Sequence, residues 1–435
     1  MIFESRFESG NLAAVTKVSE NDYHLLLQND VNTGGHTQWF FFRVTNWAKG
    51  EVRFNMLNLC KPDSLYNEGM KILVYSERHA AQKDIGWHRA GTKIHYYQNG
   101  IRKDEKKSST SVFKSYYTHT FTYNFEYEDD TVYFAYCYPY TYSDLQDDIN
   151  AIMSDPAKAS FTTRKTLCET LAGNKLELLT VTSKQNIENL AKRKGVVLTA
   201  RVHPGESVGS WMMKGALSFL TSTDSVEAEL LRQNYVFKIL PMLNPDGVIN
   251  GNYRCSLAGC DLNRRWKAPS KVLHPTVYYT KQLIHQFVKE RELSIFCDFH
   301  GHSRRKNIFM YGCNIPQSPE DTRIFPFILS NICPFFIYNY SRFGNQKSKE
   351  STARMALFNE LKQHPAIYTI ESSFCGNDTG QYAKYHFSTE NLQQTGIDFC
   401  RSLLIYGGIP APTSIVEGFF RNINGIYQHS KVIND

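Results

Sequence analysis

An α/β domain with a mixed central sheet, preceded by an all-β antiparallel sandwich, is the architecture this sequence predicts. Three features predict it. The chain has 435 residues, more than one ordinary domain takes. Its first ~145 residues hold short aromatic and β-branched runs between turn-formers, with no long amphipathic helix among them. From Tyr142-Ser143-Asp144 onward, helical periods alternate with short, continuously apolar runs.

The β runs are residues 11–18, 22–28, 38–46, 52–59, 70–76, 93–98, 116–127 and 131–140, with turns such as Asn32-Thr33-Gly34-Gly35 and Lys49-Gly50 between them. Val52, Phe54 and Met56 alternate with Arg53 and Asn55, the period of a half-buried strand. Many antiparallel strands at regular spacing suit a sandwich. Beyond the switch, 157–172 reads as a helix and 176–182 as a strand. Residues 196–200, Val-Val-Leu-Thr-Ala, form a short, largely apolar run, as a strand buried on both faces should. Val208, Met212, Ala216 and Phe219 then recur at helical spacing. Residues 235–240, 293–297, 308–311 and 367–370 read as further buried strands. Helices fit 275–290, 320–331, 350–363 and 389–405. The division that follows is a sandwich over 1–145, the α/β domain over 146–410 and a tail over 411–435.

Composition is globular, with 42% hydrophobic, 21% charged and 14% aromatic residues, so a sizeable core is expected. The formal net charge is +7. The excess is not gathered into a basic tract: the richest runs, from Arg102 to Lys107 and from Arg304 to Lys306, are short. Nucleic acid is therefore not the expected partner. An acidic polypeptide is compatible with the charge. The 10 cysteines form no CxxC pair and read as reduced, buried thiols. The start, Met1-Ile2-Phe3-Glu4-Ser5-Arg6, shows no basic-then-apolar leader, and no apolar run approaches the ~20 residues of a membrane span. A soluble, cytoplasmic protein is expected.

Chemistry concentrates at predicted strand ends, where open α/β sheets bind ligands. His203-Pro204-Gly205-Glu206 follows the strand at 196–202. A His and a Glu three apart on a turn can converge on one Zn²⁺, although Pro-Gly alone would also account for the turn. His300 follows another apolar strand and is followed by Gly301. Two His and one Glu form a catalytic zinc set with one position left open. His302 reads better as a supporting or surface residue. Glu371 emerges from the β-branched strand 367–370, where desolvation disfavours an acid unless it has a partner or a task. Asn244-Pro245-Asp246-Gly247 is a strong turn signal. Arg254 and the run Asp261-Leu262-Asn263-Arg264-Arg265-Trp266 supply forked donors suited to a carboxylate.

Taken together and in this order, these pieces resemble the zinc metallocarboxypeptidases. Phe3 to Leu12, Gln38-Trp39-Phe40-Phe41-Phe42, Cys137 to Leu145 and Lys347 to Arg354 resemble the cytosolic carboxypeptidase branch, which trims glutamates from tubulin. The resemblance covers residues 3–408 and implies a carboxypeptidase-like α/β fold. It implies one Zn²⁺ per chain held by His203, Glu206 and His300, with Glu371 as general base and proton shuttle. It further implies that Arg254 stabilises the oxyanion and that Asn263 and Arg264 hold the substrate's terminal carboxylate. Arg354 falls where the family sets side-chain specificity, and a cation there suits a terminal glutamate. The implied partners are tubulin or other glutamylated tails, met by a monomer in the cytosol, at microtubules or at cilia. Digestive relatives close the pocket with a mobile Tyr, yet 344–353 contains none; Tyr338 and Tyr340 lie upstream. Two other readings compete: an amidohydrolase of the same fold acting on N-acyl amino acids, and a non-catalytic tubulin-binding protein.

Overall fold

The computed structural model describes residues 1–103 and 114–410. The tail 411–435 and most of the basic run at 102–107 lie outside the described residues. Among the described residues, ten strands build the N-terminal part: β1 (Ile2–Glu4), β2 (Leu12–Ser19), β3 (Asp22–Leu27), β4 (Phe41–Thr45), β5 (Gly50–Leu59), β6 (Ile72–Ser76), β7 (His88–Ala90), β8 (Thr92–Lys103), β9 (Lys114–Phe125) and β10 (Thr131–Ala135). They form two sheets, ordered β1-β4-β10-β6-β7 and β2-β3-β5-β9-β8. Pairing is antiparallel apart from β3 with β5, which run parallel. Phe42, Phe54, Phe121 and Phe134 fill the space between the sheets with rings 5.3–6.4 Å apart. In β5, Val52, Phe54 and Met56 are buried and Arg53 is exposed, as the alternation predicts. Asn55 is buried too, because its Nδ2 donates to Asp22 Oδ1 at 2.7 Å. The three-residue strands β1 and β7 and the helix Glu77–Lys83 were too short to show a period.

The second part holds an eight-stranded sheet. Its strands are β11 (Thr162–Glu169), β12 (Lys175–Val181), β13 (Lys194–Ala200), β14 (Tyr235–Leu240), β15 (Leu293–His302), β16 (Ile308–Gly312), β17 (Arg342–Phe343) and β18 (Ile367–Ser373). They are ordered β11-β12-β14-β13-β15-β18-β16-β17. The centre, β14-β13-β15-β18, is parallel, and antiparallel strands flank it, so the sheet is mixed as expected. The expected helix at 157–172 is corrected: the helix is Pro156–Phe161, and 162–169 is an edge strand paired with β12. Thr162, Thr163 and Thr166 favour the pleated sheet, and β12 offers a free edge that overrides local helix propensity. Helices Tyr142–Ser154 and Val226–Asn234 were not expected. The first carries a capping box, Thr141 with Asp144, that was readable in the sequence. The sequence division at 145 falls within this helix. Helices Pro275–Glu290, Ile324–Ile332, Ala353–Glu360 and Thr389–Tyr406 lie where periodicity placed them.

One apolar cluster runs from the sandwich into the second part, so the two share a core. Tyr136 meets Phe374 across the junction with ring centroids 5.1 Å apart. Helix Ser207–Leu220 lies close on β15: a Cβ on Gly209 would sit 2.7 Å from the Phe299 carbonyl oxygen. Among the described residues the cysteines form no disulfide, and most are buried. No helix among the described residues is long and apolar enough to cross a membrane.

Candidate active site

The parallel strands β13, β15 and β18 end side by side, and their ends carry the chemistry. After β13 the chain turns sharply at Arg201, whose φ is 57°. This fully buried side chain holds the turn. Its Nε donates to Pro204 O at 2.6 Å, and its Nη1 donates to Tyr140 O at 2.8 Å and Ser210 Oγ at 2.9 Å. Gly205 permits the next contact, since a Cβ there would meet the Tyr253 ring at 2.6 Å. Glu206 then stands at the N-terminus of helix Ser207–Leu220 but makes no side-chain cap to it. Its carboxylate turns inward instead.

His203, Glu206 and His300 converge, with one donor atom from each lying within 4.8 Å of the others. Glu206 Oε1 is 2.9 Å from His203 Nδ1, and Oε2 is 2.9 Å from His300 Nδ1. The outer nitrogen of each ring faces a carboxylate. His203 Nε2 is 3.1 Å from Asp261 Oδ1, and His300 Nε2 is 2.6 Å from Asp298 Oδ2. A His that binds zinc through Nδ1 almost always donates its other ring N–H to a carboxylate, a backbone carbonyl or a water, which fixes the tautomer and ring orientation. The residues therefore fit a zinc ion, with Asp261 and Asp298 supporting its ligands. Asp298 is itself fixed by the Thr199 hydroxyl, 2.7 Å from Oδ1.

Glu371 lies beside His300 in the β15–β18 register. It opens onto a cavity of about 640 Å³ that all eight residues singled out in the sequence line: His203, Glu206, His300, Arg254, Asn263, Arg264, Arg354 and Glu371. Arg254 donates through Nε and Nη2 to Asp261 Oδ2 at 2.8 and 2.7 Å, so one carboxylate anchors both this guanidinium and His203. Asn263 Oδ1 accepts from Ala353 N at 2.9 Å, which leaves its amide NH₂ as the end available to a ligand. Arg354 is only 7% exposed, and its Nη1 donates to Gly312 O at 2.5 Å and Gly344 O at 3.3 Å. Among the described residues no carboxylate pairs with it.

Comparison with known proteins bears on this geometry. Residues 149–396 match the zinc carboxypeptidase model, and residues 3–137 match the cytosolic carboxypeptidase N-terminal domain. The chain belongs to the zinc carboxypeptidase family. Cytosolic carboxypeptidase 2 of Xenopus tropicalis is 49% identical over 410 residues, covering 93% of this chain and 41% of that protein. Cytosolic carboxypeptidase 3 of Mus musculus is 45% identical over 93% of this chain and 40% of its own length. This zinc carboxypeptidase chain thus spans about two fifths of those relatives. A crystal structure of a metallo-carboxypeptidase from Burkholderia cenocepacia shares the fold, with a TM-score of 0.77 and 22% identity over 94% of this chain and 99% of that one. A Pseudomonas aeruginosa metallo-carboxypeptidase in complex with (2-guanidinoethylmercapto)succinic acid does so with a TM-score of 0.73 and 20% identity, over 96% and 100%.

Electrostatics in this zinc carboxypeptidase site follow from burial and proximity. Burial favours a neutral Glu206, but His203 and His300 outweigh it and hold the carboxyl well below its usual value. Burial also disfavours charge on His300, and Asp298 and Glu206 reverse this and raise its pKa. Glu371 is pushed up to about 7, chiefly by burial, with His300 opposing and Glu206 adding to the rise. Asp261 is driven far down despite its burial, by His203 and Arg254. Lys61 of the sandwich reaches the cavity, with Nζ bonded to Tyr253 Oη and 2.6 Å from Ser303 Oγ.

Asp298, Asp261 as a supporting carboxylate, and Lys61 join the residues that the sequence had singled out. Asp298 is a fully buried acid in an apolar strand, the same signal that marked Glu371. Lys61 lay in the other domain and gave none. His302 lies at the cavity wall, where Nδ1 accepts from Arg304 N and Arg305 N, and burial lowers its pKa to about 4. The NPDG segment shapes the frame. Asn244 caps helix Pro245–Ile249, and Asp246 accepts from Thr170 Oγ1, Ala172 N and Asn174 Nδ2. Neither Tyr338 nor Tyr340 lines the cavity; Tyr340 Oη donates to Asp378 Oδ2 at 3.1 Å. Tyr253 and Tyr311 are the tyrosines that do.

Proposed function

We propose that this chain is a cytosolic zinc carboxypeptidase that removes C-terminal or side-chain-linked glutamate from acidic protein tails, those of tubulin among them. One observation carries the specificity. Lys61, Arg254, Arg264, Arg304, Arg305, Arg342, Lys349 and Arg354 line the cavity, against only Glu206 and Glu371. Such a wall attracts a polyanionic chain and repels a cationic one. The relatives are cytosolic carboxypeptidases, which supports the carboxypeptidase activity and the compartment.

Zinc held by His203, Glu206 and His300 would supply Lewis acidity, polarising the scissile carbonyl and acidifying a water to a pKa near ~7. The chain's own residues do the rest. Glu371, as the carboxylate, takes a proton from the attacking water and returns it to the leaving amine. Arg254, rigidly held by Asp261, meets the negative charge that develops on the carbonyl oxygen; one such donor is worth roughly 10²–10³ in rate. The Asn263 amide and Arg264 grip the free α-carboxylate, which confines cleavage to the last bond. Arg354 brings to the cavity wall a buried guanidinium that has backbone acceptors but, among the described residues, no carboxylate partner, and a glutamate side chain would supply one.

A panel of peptides identical but for the last residue tests this with zinc-loaded protein. Glutamate should be released faster than alanine, leucine or lysine. Equal release, or preference for an apolar end, overturns the specificity. Turnover confined to N-acyl amino acids would favour an amidohydrolase. Tubulin binding that survives Glu371→Ala, with no wild-type turnover, would favour a non-catalytic role.

A further inference from the structure

The sandwich grips the loop that carries Arg254, and Asp30 lies at the centre of that grip. Asp30 is 3% exposed and sits in the turn between β3 and β4. Its Oδ1 accepts from Tyr253 N at 2.6 Å, and its Oδ2 accepts from Arg254 N at 2.7 Å and Cys255 N at 2.8 Å. Three consecutive backbone donors of one domain thus converge on one carboxylate of the other. No Lys or Arg pairs with Asp30 among the described residues, so these amides are its chief compensation for burial. The turn also has bonds of its own. Asp30 N donates to His36 O at 3.0 Å, and Thr33 Oγ1 donates to Asp30 O at 2.7 Å. Asn32 Nδ2 extends the contact by donating to Leu257 O at 2.7 Å. At its other end Arg254 is tied to Asp261. The guanidinium is fixed by Asp261 and the backbone by Asp30, which leaves the residue little freedom.

We propose that Asp30 is a positioning residue: by clamping the amides of 253–255 it sets where the Arg254 guanidinium stands, so the sandwich supplies part of the catalytic geometry. The kinetic consequence rests on the carboxypeptidase reading; the clamp itself does not. A group misplaced by about 1 Å can cost ~10² in rate, so a backbone clamp on an oxyanion donor has kinetic weight.

Asp30→Asn is the informative change. Whichever way the new amide turns, an NH₂ replaces one oxygen and faces a backbone N–H, losing at least one of the three bonds. Turnover is measured on whichever C-terminal peptide the wild type hydrolyses, in wild-type and Arg254→Ala backgrounds. D30N should lower kcat about ten- to hundredfold with KM changed less than about threefold, and cost less than about twofold once Arg254 is gone. Amide exchange read over residues 252–256 should quicken at least about tenfold while β13 and β15 stay protected. If D30N does not fold, Asp30→Glu, which keeps the charge and shifts it by a methylene, takes its place. An equal loss in both backgrounds marks a purely structural role and overturns the proposal, as does unchanged exchange at 252–256. If the wild type hydrolyses no peptide, the functional reading fails, and the exchange measurement still decides the clamp.

Discussion

Replacing Asp298 with Asn isolates the charge that orients one metal ligand. Asp298 is fully buried, with Oδ2 2.6 Å from His300 Nε2 and Oδ1 accepting from Thr199 Oγ1 at 2.7 Å. Asn has the same shape. Its Oδ1 can accept from His300 Nε2–H, and its NH₂ can donate to the Thr199 hydroxyl, so the contacts persist and only the charge goes. A charge-assisted bond is roughly twice as strong as a neutral one. Supporting partners of metal-bound His are worth ~10–100-fold in metal affinity, which is about 1.4–2.7 kcal/mol. Competition with a chromogenic chelator measures the zinc dissociation constant, and a thermal melt checks folding. Asp298→Asn should weaken zinc binding by that factor and regain part of its activity when zinc is saturating. Zinc affinity within about threefold of wild type, with His300→Ala abolishing binding, would show that the carboxylate does not tune the ligand.

Other perturbations separate the remaining roles. Arg354→Gln removes the cation but keeps donors, and should lower the glutamate-over-leucine ratio of kcat/KM by about 10–100-fold, the worth of a hydrogen bond to a charged group; an unchanged ratio places specificity elsewhere. Glu371 works as a base only when ionised. Burial sets its pKa near about 7, and a bound cation beside it would lower that, so kcat/KM should fall as pH drops through a value at or below about 7. The same acid limb persisting in the residual activity of Glu371→Gln would assign it to another group. Asp398, 4% exposed on helix Thr389–Tyr406, has its pKa pushed up to about 6, chiefly by burial. A raised folded-state value means its contribution to stability is complete below the unfolded value near ~4 and is lost as pH rises through about 6, up to about 3 kcal/mol. Asp398→Asn should therefore flatten that part of the melting-temperature profile relative to wild type; parallel profiles would exclude Asp398 as the cause.

The elements legible in the sequence were those whose period matched their burial. β5 alternates because one face is covered, and β13 and β15 are rich in apolar residues and buried almost throughout because both faces are. The edge strand Thr162–Glu169 was not, since half-exposed Thr, Arg and Lys give no period and only the partner β12 decides the conformation.

 

At the site, His203, Glu206, His300 and Glu371 were readable because each interrupts or ends an apolar run with a group that burial penalises. Asp261 stood beside Asn263 and Arg264 in the sequence, but its bond to His203 joins residues 58 apart and has no local signature. Asp30 and Lys61 reach the cavity and its loop from the sandwich, and contacts of that kind arise only when two domains pack.

The most direct test of the central claim is mass spectrometry of glutamylated tubulin tails before and after treatment with the zinc-loaded protein, with Glu371→Ala as control. Stepwise loss of glutamates by the wild type and none by the variant is the predicted result. Tails left intact by a wild-type protein that hydrolyses other C-terminal peptides would contradict it.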